Sequence, residues 1–167
     1  AGNTNSDGSD SNNTVTLSVD TERPTIAISS DVASLKAGET ATLGFTLSEA
    51  SSDFVQSDVT VSGGTLSNFS GSGTSYSATF TPTANSTTNG VISVASAKFS
   101  DSSGNTNSDG SDSNNTVTLN VDTGRPTIAI SSNVASLKAG ETATLSFTIS
   151  EASSNFVQSD VTVSGGT

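Results

Sequence analysis

Acidic side chains dominate the chemistry open to this chain: sixteen Asp and Glu stand against five Lys and Arg, for a net charge of −11. They are not spread evenly. Asp20 and Glu22 lie in a Val-Asp-Thr-x-Arg-Pro stretch, and Glu49, Asp53 and Asp58 follow within one short segment. Asp101 lies just before a later tract, Asn105–Asn115, which contains Asp109 and Asp112 and is made almost wholly of oxygen-bearing residues on a turn-prone backbone. Carboxylates brought together repel one another unless a cation lies between them. Ca²⁺ takes roughly six to eight oxygens from carboxylates, amides, main chain and water, whereas Mg²⁺ keeps most of its waters. This donor set therefore favours Ca²⁺, and the alternative is a solvated acidic surface that only confers solubility. The Asp-x-x-Asp spacing of Asp109 and Asp112 is not an EF-hand loop, since the twelfth-position Glu is missing.

Other chemistries are excluded by composition. The chain has no Cys, His, Met or Trp. A thiol nucleophile, a His general base and a disulfide framework are impossible, and zinc or copper would lack their favoured ligands. Five basic residues cannot form the cationic surface that nucleic acid or an anionic membrane requires. No run approaches the roughly 18 apolar residues of a membrane-spanning helix.

The elements that must position the acids read as β-strands throughout. Val15, Leu17 and Val19 alternate with polar residues, as do Ile26 and Ile28, then Leu43, Phe45 and Leu47, then Val59 and Val61. Leu66 to Phe69 and Tyr76 to Phe80 flank Gly71-Ser72-Gly73, the pattern of a hairpin. Asn89-Gly90 marks a turn before a strand read as Val91–Phe99, with a bulge at Ala95–Ala97 to bring Phe99 onto the core face. Val117, Leu119 and Val121 close the series. Seven antiparallel strands in about 100 residues describe an all-β, immunoglobulin-like β-sandwich. An up-and-down barrel is the alternative.

The chain also repeats itself. Residues 1–65 and 103–167 match at 58 of 65 positions, offset by 102. That period is a whole small domain, not a solenoid unit. The phase is set at Val19–Pro24 and Val121–Pro126, where alternation breaks and a Pro stiffens the junction. Residues 23–124 are expected to form a complete repeat. Residues 1–22 are expected to be the last loop and strand of a preceding one, and 125–167 the first three strands of a following one. Neither fragment closes a sandwich, so each should be disordered or lean on a neighbour. Tandem copies of one domain suit a rod, with adjacent copies as the partners.

In a seven-strand sandwich the loop between the second and third strands and the loop between the sixth and seventh share the pole at which the first strand enters. Glu49 and Asp53 fall in the first of these loops, Asp58 early in the third strand, Asp101, Asn105, Asp109 and Asp112 in the second loop, and Asp20 and Glu22 just before the first strand, so topology gathers them all at one end. Between the copies, Glu22, Asp31 and Asp53 become Gly124, Asn133 and Asn155, and such tolerance of a neutral residue argues against essential ligation. Asp20/Asp122, Glu49/Glu151 and Asp58/Asp160 stay acidic. Glu39 and Glu141 also persist, in a turn at the opposite pole.

Several segments resemble the bacterial Ig-like extender repeats of giant secreted adhesins, of the RTX and biofilm-associated type. They are Val19-Asp-Thr with Pro24-Thr-Ile, Ser34-Leu-Lys-Ala-Gly-Glu-Thr-Ala-Thr-Leu43, Phe45-Thr-Leu-Ser-Glu49, Asp58-Val-Thr-Val-Ser-Gly-Gly-Thr-Leu66, Tyr76-Ser-Ala-Thr-Phe-Thr-Pro82 and Phe99-Ser-Asp with Gly104-Asn105. The resemblance covers nearly the whole repeat. It implies an extracellular location on a bacterial surface and Ca²⁺ at the domain junctions. Carried onto this chain, the implied ligands are Asp20, Glu49, Asp58, Asp101 and Asn105, repeating as Asp122, Glu151 and Asp160. Asp109 and Asp112, with their counterparts Asp7 and Asp10, form a weaker set that either holds a second ion or is only a solvated loop.

Two other readings compete with a structural spacer. A module binding glycan, ice or its own copies would use outward Thr and Ser and an exposed Phe54, although Thr is common on solvated strands. A glycosidase built on paired carboxylates would need a cleft that few aromatic residues are present to shape.

Overall fold

The computed structural model describes residues 1–109 and 112–166. Alternation along Ala41–Ser51 puts Ala41, Leu43, Phe45 and Leu47 on one face, all buried, with Thr42 and Thr46 outward. This is β3. It pairs antiparallel with β1 (Ile26–Ser30) in the register Ile26↔Leu47 and with β5 (Gly64–Pro82) in the register Phe45↔Tyr76. The stretch β5 runs without a break but folds back on itself across Gly71–Gly73. Thr83 N donates to Gly63 O at 2.9 Å, and Asn68 Nδ2 donates to Thr79 Oγ1 at 3.3 Å across the two arms. The hairpin expected there is present. Gly71 and Gly73 supply the left-handed φ values of 141° and 64° that this reversal needs.

The second sheet has the order β2-β7-β6-β4, with β2 at Ser34–Lys36, β4 at Val59–Ser62, β6 at Gly90–Val94 and β7 at Thr116–Asp122. β2 runs parallel to β7, and the other pairs are antiparallel. The two sheets close on one core, which includes Ile26, Leu35, Phe45, Phe80, Ile92, Phe99 and Leu119. At one end Gly64 and Gly90 let the backbone close over the Phe80 ring, where an added Cβ on either would stand 2.5 Å from Phe80 Cζ. The architecture is the expected Ig-like β-sandwich.

Three sequence expectations need correction. The sixth strand stops at Val94 and does not reach Phe99. Residues 95–109 leave the sheet as a separate excursion in which Ala97 takes φ 61°, and Phe99 returns to the core at 1% exposure. Phe54 is not exposed: it is buried among Phe45, Phe69, Tyr76 and Phe99, with ring centroids 5.8, 5.5, 5.1 and 5.2 Å away. Burial of so large an apolar ring outweighs its loop position. Glu49 lies within β3 and not in the loop after it.

The outer segments repeat the sequence of the sandwich but only part of its structure. Val15, Leu17 and Val19 form no strand and are 80%, 76% and 76% exposed, whereas the same residue types in β7 are paired. Of the three strands expected after residue 125, two form. β8 (Ile128–Ser132) pairs with β9 (Leu145–Ile149) as Ile128↔Ile149, the register of β1 and β3 shifted by one repeat. Residues 136–138 and 161–164, counterparts of β2 and β4, take no strand conformation. The hairpin partner of β8 is near in sequence, while β2 and β4 depend on β7 and β6.

Candidate metal centre

The acidic pole is built from the end of β3, the loop joining β6 to β7, and the stretch leading into β1. Asp101 opens a tight turn in that loop: its Oδ1 accepts the Ser103 and Asn105 amides at 2.9 and 2.8 Å, and Oδ2 accepts Asn105 Nδ2 at 2.8 Å. Gly104 completes the turn at φ 89°. The same Asn105 Nδ2 lies 3.2 Å from the Asp20 carbonyl, and Ser103 Oγ donates to Asp20 Oδ2 at 2.8 Å. The turn thus draws the incoming chain against the sandwich. Glu49, half-buried at the end of β3, completes the group.

Asp20, Glu49 and Asp101 each present a carboxylate oxygen within 4.8 Å of the other two. Their electrostatics diverge. The Glu49 carboxyl is held above its ordinary value by burial first, then by the charges of Asp20, Asp101 and Glu22. Asp101 is also penalised by burial, but hydrogen bonds from the Asn105 side chain and the Asn105, Ser103 and Gly104 amides outweigh this and hold it low. The group is one well-satisfied carboxylate beside one that is crowded by like charge.

The donor set fits a hard dication. Only oxygen is offered, and oxygens bound to one Ca²⁺ stand no more than about 5 Å apart when each bond is 2.3–2.6 Å. The Asp20 carbonyl beside them is a further oxygen. Asn105 turns its amide nitrogen toward the acids, so it would have to flip its amide to offer Oδ1 as a ligand.

Other candidates lie elsewhere. Asp58 is outside this group of three; its Oδ2 accepts the Val55 amide at 2.9 Å, and Asp160 holds Val157 in the same way at 3.0 Å. Asp109 is buried: Oδ1 accepts the Ile26 amide at 2.7 Å and Oδ2 accepts Asn107 Nδ2 at 2.6 Å. Asp112, Asp7 and Asp10 are exposed and outside the group. After β7, Asp122 Oδ1 and Glu151 Oε1 both stand close to Gly124, 3.3 and 3.5 Å from where its Cβ would be.

Sequence reasoning missed Asn107, which is fully buried. Its Oδ1 accepts the Lys98 and Phe99 amides at 2.6 and 3.1 Å, while Nδ2 donates to Ala95 O and Asp109. Nothing in the polar tract separates Asn107 from the Asn and Ser around it.

The family model for the bacterial Ig-like domain matches residues 20–118 and again residues 122–167. The chain belongs to the bacterial Ig-like domain family. This family is a non-catalytic one, and its members commonly occur in surface or extracellular proteins. Among the described residues no helix is long and apolar enough to cross a membrane. No curated protein and no solved structure matches the chain.

Proposed function

We propose that the chain is a spacer segment of a secreted bacterial surface adhesin, in which serial Ig-like repeats hold a distal binding domain away from the cell. Ca²⁺ bound by Asp20, Glu49 and Asp101 stiffens the junction on entry to the repeat, and Asp122 and Glu151 serve the next junction. The observation that carries this reading is the meeting of a carboxylate from the incoming stretch with two from the sandwich. A cation there ties the two parts together and offsets the burial and like-charge repulsion that raise Glu49. An ion that binds only this docked form stabilises it by mass action, by about 2.7 kcal/mol at a hundredfold excess over Kd.

The test is a thermal melt of the chain in CaCl₂ and in EDTA, repeated with Glu49→Gln. Calcium is expected to raise Tm of the wild type. Glu49→Gln is expected to raise the Tm in EDTA, by removing a repelled charge, while abolishing most of the calcium gain. Equal melts with and without calcium refute the metal reading and leave the acids as a solvated surface.

A further inference from the structure

We infer that Thr123 is the positioning residue that fixes the direction in which the chain leaves the sandwich, so that the link to the following repeat is held without any ion. This rests on reading the repeats as serial spacers, but not on calcium.

Thr123 is the first residue beyond β7. It is 3% exposed although Asp122 before it and Arg125 two residues after it are exposed. Its amide donates to Ser86 O at 2.9 Å, and its Oγ1 accepts the Ser86 amide at 3.0 Å. The hydroxyl has a single proton, and the 2.6 Å approach to Thr83 O is a better acceptor position than the 3.2 Å approach to Ser86 O. Three bonds therefore clamp Thr123 to the loop between β5 and β6. That loop is itself tied to the sandwich by the Thr83 amide on Gly63 O at 2.9 Å.

The next fixed point follows after three residues. The Thr127 amide donates to Ser150 Oγ at 2.8 Å and so belongs to the β8–β9 hairpin. Of the residues between, Gly124 donates its amide to Asp122 Oδ1 at 3.3 Å, and Pro126 has its φ set by its ring. Arg125 lies along a cleft of about 380 Å³ that Gly38, Glu39, Pro82 and Asn85 also line. Between the two anchors only Gly124 and Arg125 keep backbone torsions that neither the clamp nor a ring sets. The counterpart Thr21, with no such loop beneath it, is exposed. Burial of this threonine thus follows from the clamp and not from its local sequence.

A methyl in place of the hydroxyl keeps the shape but leaves the Ser86 amide and the Thr83 carbonyl unpaired. The full chain in EDTA is compared with Thr123→Val and Thr123→Ser by hydrogen exchange at the Ser86 amide and by ¹⁵N heteronuclear NOE at Gly124, with Tm measured alongside. Thr123→Val is expected to speed exchange at Ser86 roughly tenfold or more and to lower the Gly124 NOE, while Gly90–Val94 amides stay protected. Thr123→Ser is expected to restore both. An unchanged Gly124 NOE in Thr123→Val overturns the inference, as does a uniform loss of protection that Thr123→Ser fails to restore. Because EDTA is present throughout, either result is independent of the calcium melt.

Discussion

Asp53 meets Ser100 twice: Oδ1 accepts the Ser100 amide at 2.8 Å and Oδ2 accepts the Ser100 hydroxyl at 2.7 Å. Ser51 adds a third bond, from its hydroxyl to Oδ1 at 2.7 Å. These bonds pin the loop after β3 to the excursion after β6, next to the acidic group. They also explain why the second copy tolerates Asn155, since an amide can keep an oxygen toward the serine donors. There Asn155 Oδ1 accepts the Ser153 hydroxyl at 3.0 Å.

Replacing Asp53 by Ala is expected to cost about 1–2 kcal/mol, the low end for a charged hydrogen-bond hub because the site is exposed. Asp53→Asn should cost less than half as much. Urea unfolding of the two variants measures both, and equal losses would mean that the charge, rather than the bonding geometry, carries the effect.

The pH dependence of the calcium-free chain follows from opposed shifts. Asp53 is lowered from 3.8, chiefly by the Ser100 amide, and Asp101 is lowered from 3.8 as its hydrogen bonds outweigh burial. Their contributions are full above 3.8 and are lost as pH falls through the lower folded values. Glu49 is raised from 4.5, by burial and then by Asp20, Asp101 and Glu22, so its charged form is the one the fold disfavours. That penalty is full at neutral pH and is relieved as pH falls through the folded value toward 4.5. Melts in EDTA should therefore show Tm rising on acidification toward 4.5 and falling below 3.8. In Glu49→Gln the upper limb should flatten while the lower one persists.

The buried Asn107 side chain makes four hydrogen bonds within the β6–β7 excursion. Asn107→Ala strips partners from the Lys98 and Phe99 amides and from Ala95 O. A loss of about 3 kcal/mol or more is expected. Hydrogen exchange at Phe99 should rise with it. Protection there that survives the substitution would show that the loop is held by other means.

Phe54→Ala should cost about 3–5 kcal/mol by urea unfolding, the range for a buried phenylalanine. Tyr76 would report the same loss, because its ring stands edge-on to Phe54 and its hydroxyl donates to Ser51 O at 2.8 Å. An exposed adhesive side chain would give a change near zero.

Most strand positions of the central repeat, the β5 hairpin and the Ig-like class were legible in the sequence because alternation and turn chemistry act over a few residues, whereas β2 (Ser34–Lys36), three residues with only Leu35 buried, gave no alternation to read. Leu43, Phe45 and Leu47 announce β3 whatever lies across from them. The β8–β9 pair forms in the same register as β1–β3 although the counterparts of β2 and β4 take no strand conformation. The gathering of Asp20, Glu49 and Asp101 at one pole was also readable, from topology. Which acids actually meet was decided only in three dimensions. Asp58 was drawn to the Val55 amide and Asp109 into the core by the Ile26 amide, because each backbone donor nearby needed an acceptor. Tertiary structure likewise made a strand of Thr116–Asp122 and not of residues 14–20, and buried Thr123 while leaving Thr21 in water. A pattern can specify what a segment presents, but partners distant along the chain decide whether those groups are paired, buried or left to solvent.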